Sequence, residues 1–545
     1  MEMSSATYAS INPTNLDNFN NPLHLAGEEG VMGVMESSDA PVRFTARRVS
    51  VEVVPGKSSE LWAYCAEREG KIYVNPTFRV RKGEEFSAEF TNDLDEETTV
   101  HWHGLHVDWR MDGHPHRPVA PGASFSCSFP VQNRGGTYWY HPHPHGRTAI
   151  QTYSGLAGLF LIEDEDERRL AEALDLRLGE TDIPLLIQDK RLDEDGNVVY
   201  APGAMRNVIL TNLTPAPYLE VSTRIYRFRL LNGSNARNFR LAFTKAGQEE
   251  LLPYQIVATD GSLLERPRPT REVFLSPAER VDVLLDLTGF KVGEEVVLKS
   301  LPFDPMHHEH EKKAGGDMDH MEHVGHMDHM GHRKMGHHHH VAMEPTDTSH
   351  HHTDTTQLPD GSEFYLLKLV VAQKRDYSGS VPETLSEIPQ PDFGGAATRP
   401  ITISMTTDDA GMRWLINGKT PQMDEFPIVV PRGAKEIWEI HNDKRSMPHP
   451  IHIHGFQFRV LERIGTPEQV AHLVVEEKGR LVTDLGFKDT VLLWPGETVK
   501  WAIDFSHGFE GEQLYMFHCH ILEHETAMML NVKIADSHGE GDRRQ

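Results

Sequence analysis

The sequence has 545 residues, a formal net charge of −27 and three cysteines. At roughly 150 residues per domain this length predicts three or four domains, and three cysteines exclude a dense disulfide framework. The acidic charge excludes nucleic acid and anionic membranes as partners, because both bind through basic surfaces. No apolar run reaches about 18 residues, so membrane insertion is not expected.

The first residues of the chain lack the basic start and the apolar stretch of a secretory signal. This absence has two explanations. The protein is cytoplasmic, or the sequence is a processed form of a periplasmic or extracellular protein. Both alternatives stay open.

Short segments with β-branched or aromatic alternation, separated by Gly, Pro and Asn or Asp, fill most of the chain. This pattern predicts strands, the first ones at residues 43–53, 77–80, 85–92, 98–103 and 123–130. Residues 165–174 are predicted to form a helix. Further strands are predicted at residues 225–231, 280–287 and 295–300. Many short strands bounded by turns are typical of all-β chains built from β-sandwiches.

These segments divide into three predicted domains. The first covers residues 40–165, the second 166–377 and the third 398–537, with a proline-rich linker at 378–400. Within the second domain, residues 305–352 consist largely of Met, His, Gly and Asp and have no apolar period. A segment of this composition predicts a disordered loop inserted into the domain.

Four His-x-His pairs stand out in the sequence: His101 and His103, His141 and His143, His452 and His454, and His518 and His520. In a strand, residues i and i+2 point to the same face, so each pair can present two imidazoles to one site. Two pairs lie in the first predicted domain and two in the third, which places a shared site where those domains meet. Eight imidazoles are too many for one ion and predict a metal cluster.

Cys519 lies between the two histidines of the last pair and must point to the opposite face of its strand. Four candidate partners for it are His449, His524, Met528 and Met529. A thiolate, two imidazoles and a weak thioether form the ligand set of a blue-copper site. The sequence therefore predicts a second metal site, joined covalently to the cluster through the peptide on either side of Cys519.

The segments HWHG, WYHPH, HPIHIHG and HCHILEHETAMML resemble, in order and number, the four copper motifs of three-domain multicopper oxidases. That family includes bacterial laccases, bilirubin oxidases and cuprous oxidases, and the resemblance spans nearly the whole chain from the start of the first predicted domain. It implies three cupredoxin-like Greek-key sandwiches, dioxygen as electron acceptor and four copper ions. One of these would be type 1, one type 2 and two type 3.

The resemblance also implies the copper ligands by position. The type 1 ligands would be His449, Cys519 and His524 with an axial methionine, and the type 2 ligands His101 and His452. The type 3 ligands would be His103, His141, His143, His454, His518 and His520. Asp112 and Glu525 match acids of the family and would relay protons without binding metal. For Asp112 the alternative is an ordinary Asp-Gly turn.

The axial methionine has two candidates, because the HETAMM segment is one residue shorter than its counterpart in relatives. Counting from His524 favours Met529, whereas aligning the final strand favours Met528. We favour Met528, because it shares one strand face with Leu530 and Val532 and a shortened loop costs less than a slipped register.

Four further histidines lie beside the motifs: His106, His114, His116 and His145. Every implied ligand position is filled without them. We therefore expect them to contact ligands or solvent and not the metal ions.

The resemblance implies a laccase-type oxidase that takes single electrons from phenols or similar small donors and reduces dioxygen to water. The electrons are expected to enter through an exposed edge of His449 and to leave through Cys519. The closest alternative is oxidation of copper(I), because mixed Met and His side chains at 305–352 can hold copper in either oxidation state.

Two other classes are disfavoured. A copper-binding protein without turnover would not need the link through Cys519, and two-domain nitrite reductases lack the full set of four His-x-His pairs. We expect a monomer that binds dioxygen and a small reductant and that has no nucleic-acid partner.

Overall fold

The computed structural model describes residues 10–306 and 357–536, apart from residues 39, 202–205, 391, 409–410 and 421. The predicted disordered loop at 305–352 therefore lies almost wholly outside the described residues. Within these ranges the chain forms six β-sheets and a few short helices. The sheets follow one another along the chain as three pairs, and each pair encloses one hydrophobic core.

The first pair of sheets is built mainly from residues 42–163. One sheet contains, in spatial order, Ser124–Pro130, Glu85–Asn92, Val42–Glu52, Ser58–Arg68, Lys71–Val74 and Gly30–Val31. The other contains Val34–Glu36, Thr77–Arg81, Gly158–Glu163, Gly136–His141 and His101–His103. Alternate residues of the strands face inward, and the core between the sheets is rich in aromatic rings such as Phe44, Phe78 and Phe90.

The second pair is built mainly from residues 182–373. One sheet contains Thr214–Pro215, Val208–Thr211, Asp182–Lys190, Ile225–Asn232, Arg280–Asp286, Tyr254–Thr259 and Ser262–Thr270. The other contains Asn21–Pro22, Pro217–Ser222, Phe364–Gln373, Glu295–Ser300, Phe239–Lys245 and Leu251–Leu252, with Glu272–Leu275 also paired to Phe239–Lys245. The strands Ile225–Asn232 and Arg280–Asp286 are buried almost throughout, because neighbouring structure covers both of their faces.

The third pair lies between residues 397 and 535. One sheet contains Gly411–Ile416, Ala397–Asp408, Lys435–Asn442, Thr498–Asp504 and Phe458–Ile464. The other contains Ile428–Pro431, Met529–Ala535, Gln513–Cys519, His449–Ile453 and Thr490–Leu493. Their shared core includes the stacked rings of Phe458 and Trp501, 3.7 Å apart.

This architecture confirms the predicted fold class of three cupredoxin-like Greek-key sandwiches. The predicted strands at 85–92 and 295–300 form with those bounds. The strand predicted at 98–103 is shorter, His101–His103, because Thr98 pairs only through an isolated bridge to Val119. The domain limits 40–165, 166–377 and 398–537 remain our proposal, and the short strands before residue 40 add to edges of the first two pairs of sheets.

Helices are few and short. The predicted helix forms at Glu165–Leu174, where Asp164 caps the first turn by accepting backbone hydrogen bonds from Asp166 and Glu167. A second helix, Thr148–Ser154, was not predicted, because its β-branched residues have weak helix propensity. The remaining helical turns are Leu16–Asn18, Glu468–Ala471, Glu477–Gly479, Val482–Asp484 and Leu522–His524. None of the helices described is long and apolar enough to cross a membrane.

Candidate metal centre

The four His-x-His pairs lie at strand ends that meet between the first and third sandwiches. Opposed histidines link the pairs within each sandwich, since His101 pairs with His141 and His452 with His518. Only the first pair lies wholly in a strand. The other three strands end at or just inside their pairs, at His141, Ile453 and Cys519. The prediction that both histidines of a pair lie on one strand face therefore applies to the first pair alone. In the other three pairs the chain turns after the strand end, and these turns bring the second histidine to the same site.

The eight imidazoles form one buried cluster in which rings of the two sandwiches interleave. His101 stacks on His454 and His103 stacks on His452, each at 3.8 Å between ring centroids. The ligand atoms of His143, His454 and His518 lie within 4.8 Å of one another. The rings of His103, His141 and His520 lie 5.0 to 5.6 Å apart, and those of His101 and His452 lie 5.8 Å apart. The ligand atoms of His101, His103 and His141, and those of His101, His452 and His454, also lie within 4.8 Å of one another. The distances are therefore compatible with two trios and a pair, and this division remains our proposal.

Most rings of the cluster are oriented through Nδ1. An oxygen is hydrogen-bonded to this nitrogen at 2.8 to 3.0 Å in five rings, those of His101, His141, His452, His454 and His518. In His143 the nearest oxygen, Glu525 Oε1, lies 3.0 Å from Nδ1 without a hydrogen bond. A ring fixed through Nδ1 leaves Nε2 to face inward as the ligand atom. His103 is reversed, because its Nε2 lies 3.0 Å from Asp489 Oδ1 and its Nδ1 lies 3.4 Å from His141 Nε2.

The inward nitrogens fit copper. Nε2 of His101 and His452 and both ring nitrogens of His520 are buried and have no hydrogen-bond partner. Leaving such an atom unpaired costs about 1–3 kcal/mol, and a neutral imidazole nitrogen is a favoured copper ligand. Burial, followed by neighbouring imidazoles, holds the pKa of His103, His141, His452, His454, His518 and His520 well below the ordinary range. The rings are therefore in the neutral form that binds metal.

Asp112 contacts the cluster from the side of the first sandwich. Its Oδ2 accepts a hydrogen bond from His454 Nδ1 at 2.8 Å, and its Oδ1 lies 3.2 Å from His101 Nδ1. The side chain is fully buried, and burial raises the pKa of this carboxyl. The Asp-Gly turn is also present, with Gly113 at a φ of +72°. The turn and the contact with the imidazoles therefore occur together.

Glu525 lies beside another imidazole of the cluster, that of His143. Its Oε1 lies 3.0 Å from His143 Nδ1 and accepts a hydrogen bond from Thr148 Oγ1 at 2.7 Å. Thr148 begins the unpredicted helix Thr148–Ser154. Both acids proposed from the sequence are thus buried and within hydrogen-bonding distance of cluster imidazoles.

Cys519 lies on the other side of its strand, in the core of the third sandwich. Its Sγ lies 3.4 Å from His449 Nδ1 and 4.0 Å from His524 Nδ1, and it accepts a hydrogen bond from the Ile521 N–H. Burial raises the pKa of Cys519 and lowers that of His524 to about 4. A buried thiol is inert on its own, whereas a bound metal ion deprotonates it. This donor set fits a blue-copper ion.

The expected exposed edge of His449 is wrong. This ring is 0% exposed, and its Nε2 lies 2.9 Å from Ser446 Oγ. Trp414 explains the burial, because its ring lies 4.8 Å from that of His449 and 4.9 Å from that of His524. His524 is 4% exposed and is the more accessible of the two.

The two candidate axial methionines have different surroundings. Met528 is fully buried in the same core as Cys519, and its carbonyl accepts the backbone N–H of Cys519 at 3.1 Å. Met529 begins the last strand, pairs in register with His518 and lies outside that core as described. These surroundings favour Met528, which remains a proposal.

Several contacts in the site were not foreseen. Four residues that the sequence did not indicate contact proposed ligands or acids: Asp489, Ser446, Thr148 and Trp414. Their distances along the sequence from the motifs follow no pattern that would have identified them. Of the four extra histidines, His106 Nδ1 contacts the Gly455 carbonyl at 2.6 Å, and His114 Nδ1 accepts the His116 N–H. None of the four belongs to a group of three potential ligand atoms among the described residues.

The chain is similar in sequence and fold to known proteins. Family models described as multicopper oxidase match residues 52–167 and 396–538. The chain is 30% identical to a bilirubin oxidase of Albifimbria verrucaria, over 84% of this chain and 70% of that protein. It is 28% identical to a laccase of Bacillus subtilis strain 168, over 88% and 91%. A crystal structure of the McoA multicopper oxidase from Aquifex aeolicus matches with a TM-score of 0.77 and 35% identity, over 94% of this chain and 99% of that one.

Proposed function

The chain belongs to the multicopper oxidase family, and from this premise we propose that it is a laccase-type oxidase of phenols and similar one-electron donors. As a family member it is a copper-dependent oxidoreductase that uses dioxygen. The proposal adds that four single electrons reduce one dioxygen to two waters, and that the protein acts as a monomer.

We propose four copper ions. His449, Cys519, His524 and axial Met528 would hold type 1 copper. Type 2 copper would lie between His101 and His452. The type 3 pair would be held by His103, His141 and His520 and by His143, His454 and His518. When bound, the copper ions supply one-electron redox chemistry and a binding place for dioxygen.

One observation carries the proposal: a single tripeptide joins the two sites. Cys519 Sγ lies among the proposed type 1 ligands, while His518 and His520 on either side of it belong to the cluster. An electron arriving at the first site therefore has a route of a few covalent bonds to the second. A protein that only stored copper would gain nothing from this connection.

Protons must reach the cluster separately from electrons, because reduction of dioxygen to water consumes four of them. Asp112 and Glu525 support this role, since each is buried and lies against imidazoles of the cluster. Burial raises the pKa of the Asp112 carboxyl, which favours the protonated form that a proton donor needs.

We propose that donors deliver electrons near His524. Trp414 covers His449 and His524, so a donor would approach the type 1 site without binding to its metal. Such a covered site selects donors by their potential more than by their shape. This suits broad oxidation of phenols.

Oxygen uptake tests the function directly. We expect the copper-loaded protein to consume dioxygen with a substituted phenol, and the same protein is compared with bilirubin and with copper(I). Water as the only product is checked by the absence of released peroxide. Copper-loaded, blue protein that consumes no dioxygen with any of the three donors would contradict the proposal.

Oxidation of copper(I) is the second candidate, and the ends of the Met/His-rich segment support it. The Leu358 N–H donates to the Arg206 carbonyl at 2.9 Å, and Arg206 Nη2 donates to Glu523 Oε1 at 3.1 Å. Glu523 directly precedes His524. Leu358, six residues after the 305–352 segment, is therefore linked through Arg206 and Glu523 to a proposed type 1 ligand, although the segment belongs to the second predicted domain.

Deletion of residues 305–352 separates the two candidates. The ends are already joined, because the Phe303 N–H donates to the Gly361 carbonyl at 3.0 Å, so the shortened loop is expected to fold. If the segment supplies copper(I), the deletion abolishes copper(I) oxidation and leaves phenol oxidation unchanged or faster. Unchanged oxidation of both donors would exclude a role for the segment in copper(I) turnover.

A further inference from the structure

Asp489 contacts two imidazoles of the cluster through two different groups. Its Oδ1 lies 3.0 Å from His103 Nε2, and its backbone carbonyl lies 2.8 Å from His452 Nδ1. The two rings stack at 3.8 Å with 16° between their planes. One residue of the third sandwich thus fixes a stacked pair that takes one ring from each of two sandwiches.

The reversed ring of His103 depends on this carboxylate. In the five rings oriented through Nδ1, the oxygen partner leaves Nε2 to face inward. In His103 the acceptor lies at Nε2, so the donating N–H points outward and Nδ1 faces the other ligand atoms. The Thr490 hydroxyl, 3.2 Å from His103 Nε2, also contacts Asp489 Oδ1 at 2.9 Å and completes the acceptor side.

Arg280 fixes the carboxylate in turn. Its Nη1 and Nη2 donate to the two oxygens of Asp489 at 2.7 and 2.6 Å. Its remaining N–H groups donate to the carbonyls of Thr137, Ala278 and Asp260 at 2.8 to 3.0 Å. Both side chains are fully buried, and buried charged groups are tolerated only when they are paired and hydrogen-bonded. With all five donors occupied, the guanidinium has one orientation.

Three sandwiches meet in this arrangement. Arg280 begins a strand of the second, Asp489 precedes a strand of the third, and His103 ends a strand of the first. Gly104 makes the close approach possible, because a Cβ there would lie 2.4 Å from Asp489 Oδ2 and its φ is +85°. The second sandwich contributes none of the eight cluster histidines, yet it contributes the arginine.

We propose that Asp489, oriented by Arg280, is a positioning residue that holds His103 with Nε2–H outward and Nδ1 toward copper. The inference rests on the proposed copper cluster. A carboxylate acceptor fixes the tautomer of an imidazole ligand and raises its basicity, and loss of such a partner typically weakens metal binding by roughly 10–100-fold. The second sandwich is then part of the oxygen-reducing centre.

Asp489→Asn tests the proposal with little change in size. The amide cannot accept two hydrogen bonds from Arg280 and leaves His103 without a charged partner. We expect apoprotein titrated with copper to bind cluster copper roughly 10–100-fold more weakly, as measured by copper counts and electron paramagnetic resonance. The blue absorption of the type 1 site is expected to be unchanged. Arg280→Gln is expected to have the same effect through the freed carboxylate.

Asp484→Asn is the matched control. Asp484 makes a buried bidentate ion pair with Arg463, at 2.7 and 3.0 Å, in the third sandwich. The described contacts of this pair include no imidazole. We expect this control to lower the unfolding temperature of the apoprotein while cluster copper binds as in the wild type.

Two results would overturn the inference. One is full copper affinity and an unchanged cluster spectrum in Asp489→Asn. The other is equal loss of cluster copper in Asp489→Asn and Asp484→Asn, which would indicate general destabilisation. Failure of the proposed function itself is distinguishable, because wild-type protein would then bind copper at neither site or consume no dioxygen.

Discussion

The two proposed copper sites differ in what surrounds their imidazoles. The cluster is bordered by carboxyl groups of Asp112, Asp489 and Glu525, and most of its rings contact an oxygen. The type 1 site lies in an apolar core, where Trp414 and Met528 are neighbours. The difference follows from what each site transfers, protons and electrons at the cluster and electrons alone at the type 1 site. Reduction of dioxygen consumes protons and needs ionisable groups, whereas electron transfer alone needs only a covered metal of suitable potential.

Charge explains why the two environments cannot be exchanged. A buried carboxylate beside the type 1 ion would favour copper(II) and lower its potential, which would narrow the range of donors. An apolar lining around the cluster would leave the ring N–H groups without acceptors, at about 1–3 kcal/mol each. Substitutions in the type 1 site and around the cluster can therefore test whether electrons and protons use separate residues.

Cys519→Ser is expected to have the largest effect. A hydroxyl is a poor ligand for blue copper, so the variant should lose its blue absorption and all turnover with phenols. The cluster is expected to keep its copper, because His518 and His520 are unchanged. Copper counts, visible absorption and oxygen uptake measure these outcomes.

The control for this variant is Cys65→Ser, a buried free cysteine of the first sandwich. It is expected to remain blue and active. A Cys519→Ser protein that oxidises phenols at the wild-type rate would break the assignment of the electron route.

Asp112→Asn is expected to have the next largest effect. The amide keeps the size of the side chain but cannot carry a proton to the cluster. We expect full copper content and normal blue absorption, with dioxygen reduction slowed by roughly 10²–10⁴-fold. The measurement is reoxidation of the fully reduced protein by dioxygen, in water and in deuterated water.

Asp108→Asn provides the control, because Asp108 is a nearby acid that pairs with Arg110 at 3.0 Å and lies outside the cluster. It is expected to reoxidise like the wild type. Normal reoxidation by Asp112→Asn as well would contradict the proton relay and leave Asp112 with its structural contacts, the Asp-Gly turn and the hydrogen bond from His454.

A third prediction concerns acid and the copper-free protein. Burial lowers the pKa of His524 to about 4 from an ordinary value of 6.5, so below pH 6.5 the unfolded chain binds a proton that the folded chain does not. The stability from this ring is present above pH 6.5 and is lost as the pH falls toward 4. The expected loss is about 1.4 kcal/mol per pH unit for each such ring.

Urea unfolding of the apoprotein between pH 7 and pH 4.5 measures this loss. His524→Gln removes one titrating ring and should reduce the slope of unfolding free energy against pH by about one proton. An unchanged slope in this variant would show that His524 is not held neutral by the core.

The proposed metal ligands could be selected from the sequence because their signal is local. Two histidines with one residue between them, and a cysteine between two histidines, need no knowledge of distant contacts. The strand at Glu85–Asn92 was predictable for the same reason, since its buried residues alternate. The fold class follows from repeating this pattern along the chain.

The surroundings of the ligands could not be predicted, because they come from distant parts of the chain. Asp489 lies 386 residues from His103, and Trp414 reaches His449 from another sheet. The expected exposure of His449 failed for this reason. Contacts of this kind depend on how three sandwiches pack, and packing leaves no period in the sequence.

Met528→Leu is expected to have the smallest effect and to sharpen the picture of the type 1 site. An axial thioether is a weak, long ligand that adjusts the potential without being needed to bind the metal. We expect the variant to stay blue and active, with an altered blue absorption and a raised type 1 potential. Each tenfold change in the relative affinity for the two copper oxidation states corresponds to about 59 mV.

Met529→Leu is the matched comparison, since the two residues are adjacent and both buried. Met528 shares the core of Cys519, whereas Met529 pairs with His518 on the neighbouring strand. Met529→Leu should therefore leave the potential unchanged. A shift of the type 1 potential in Met529→Leu with none in Met528→Leu would make Met529 the axial ligand. The spacing from His524, and not the register of the last strand, would then determine the ligand.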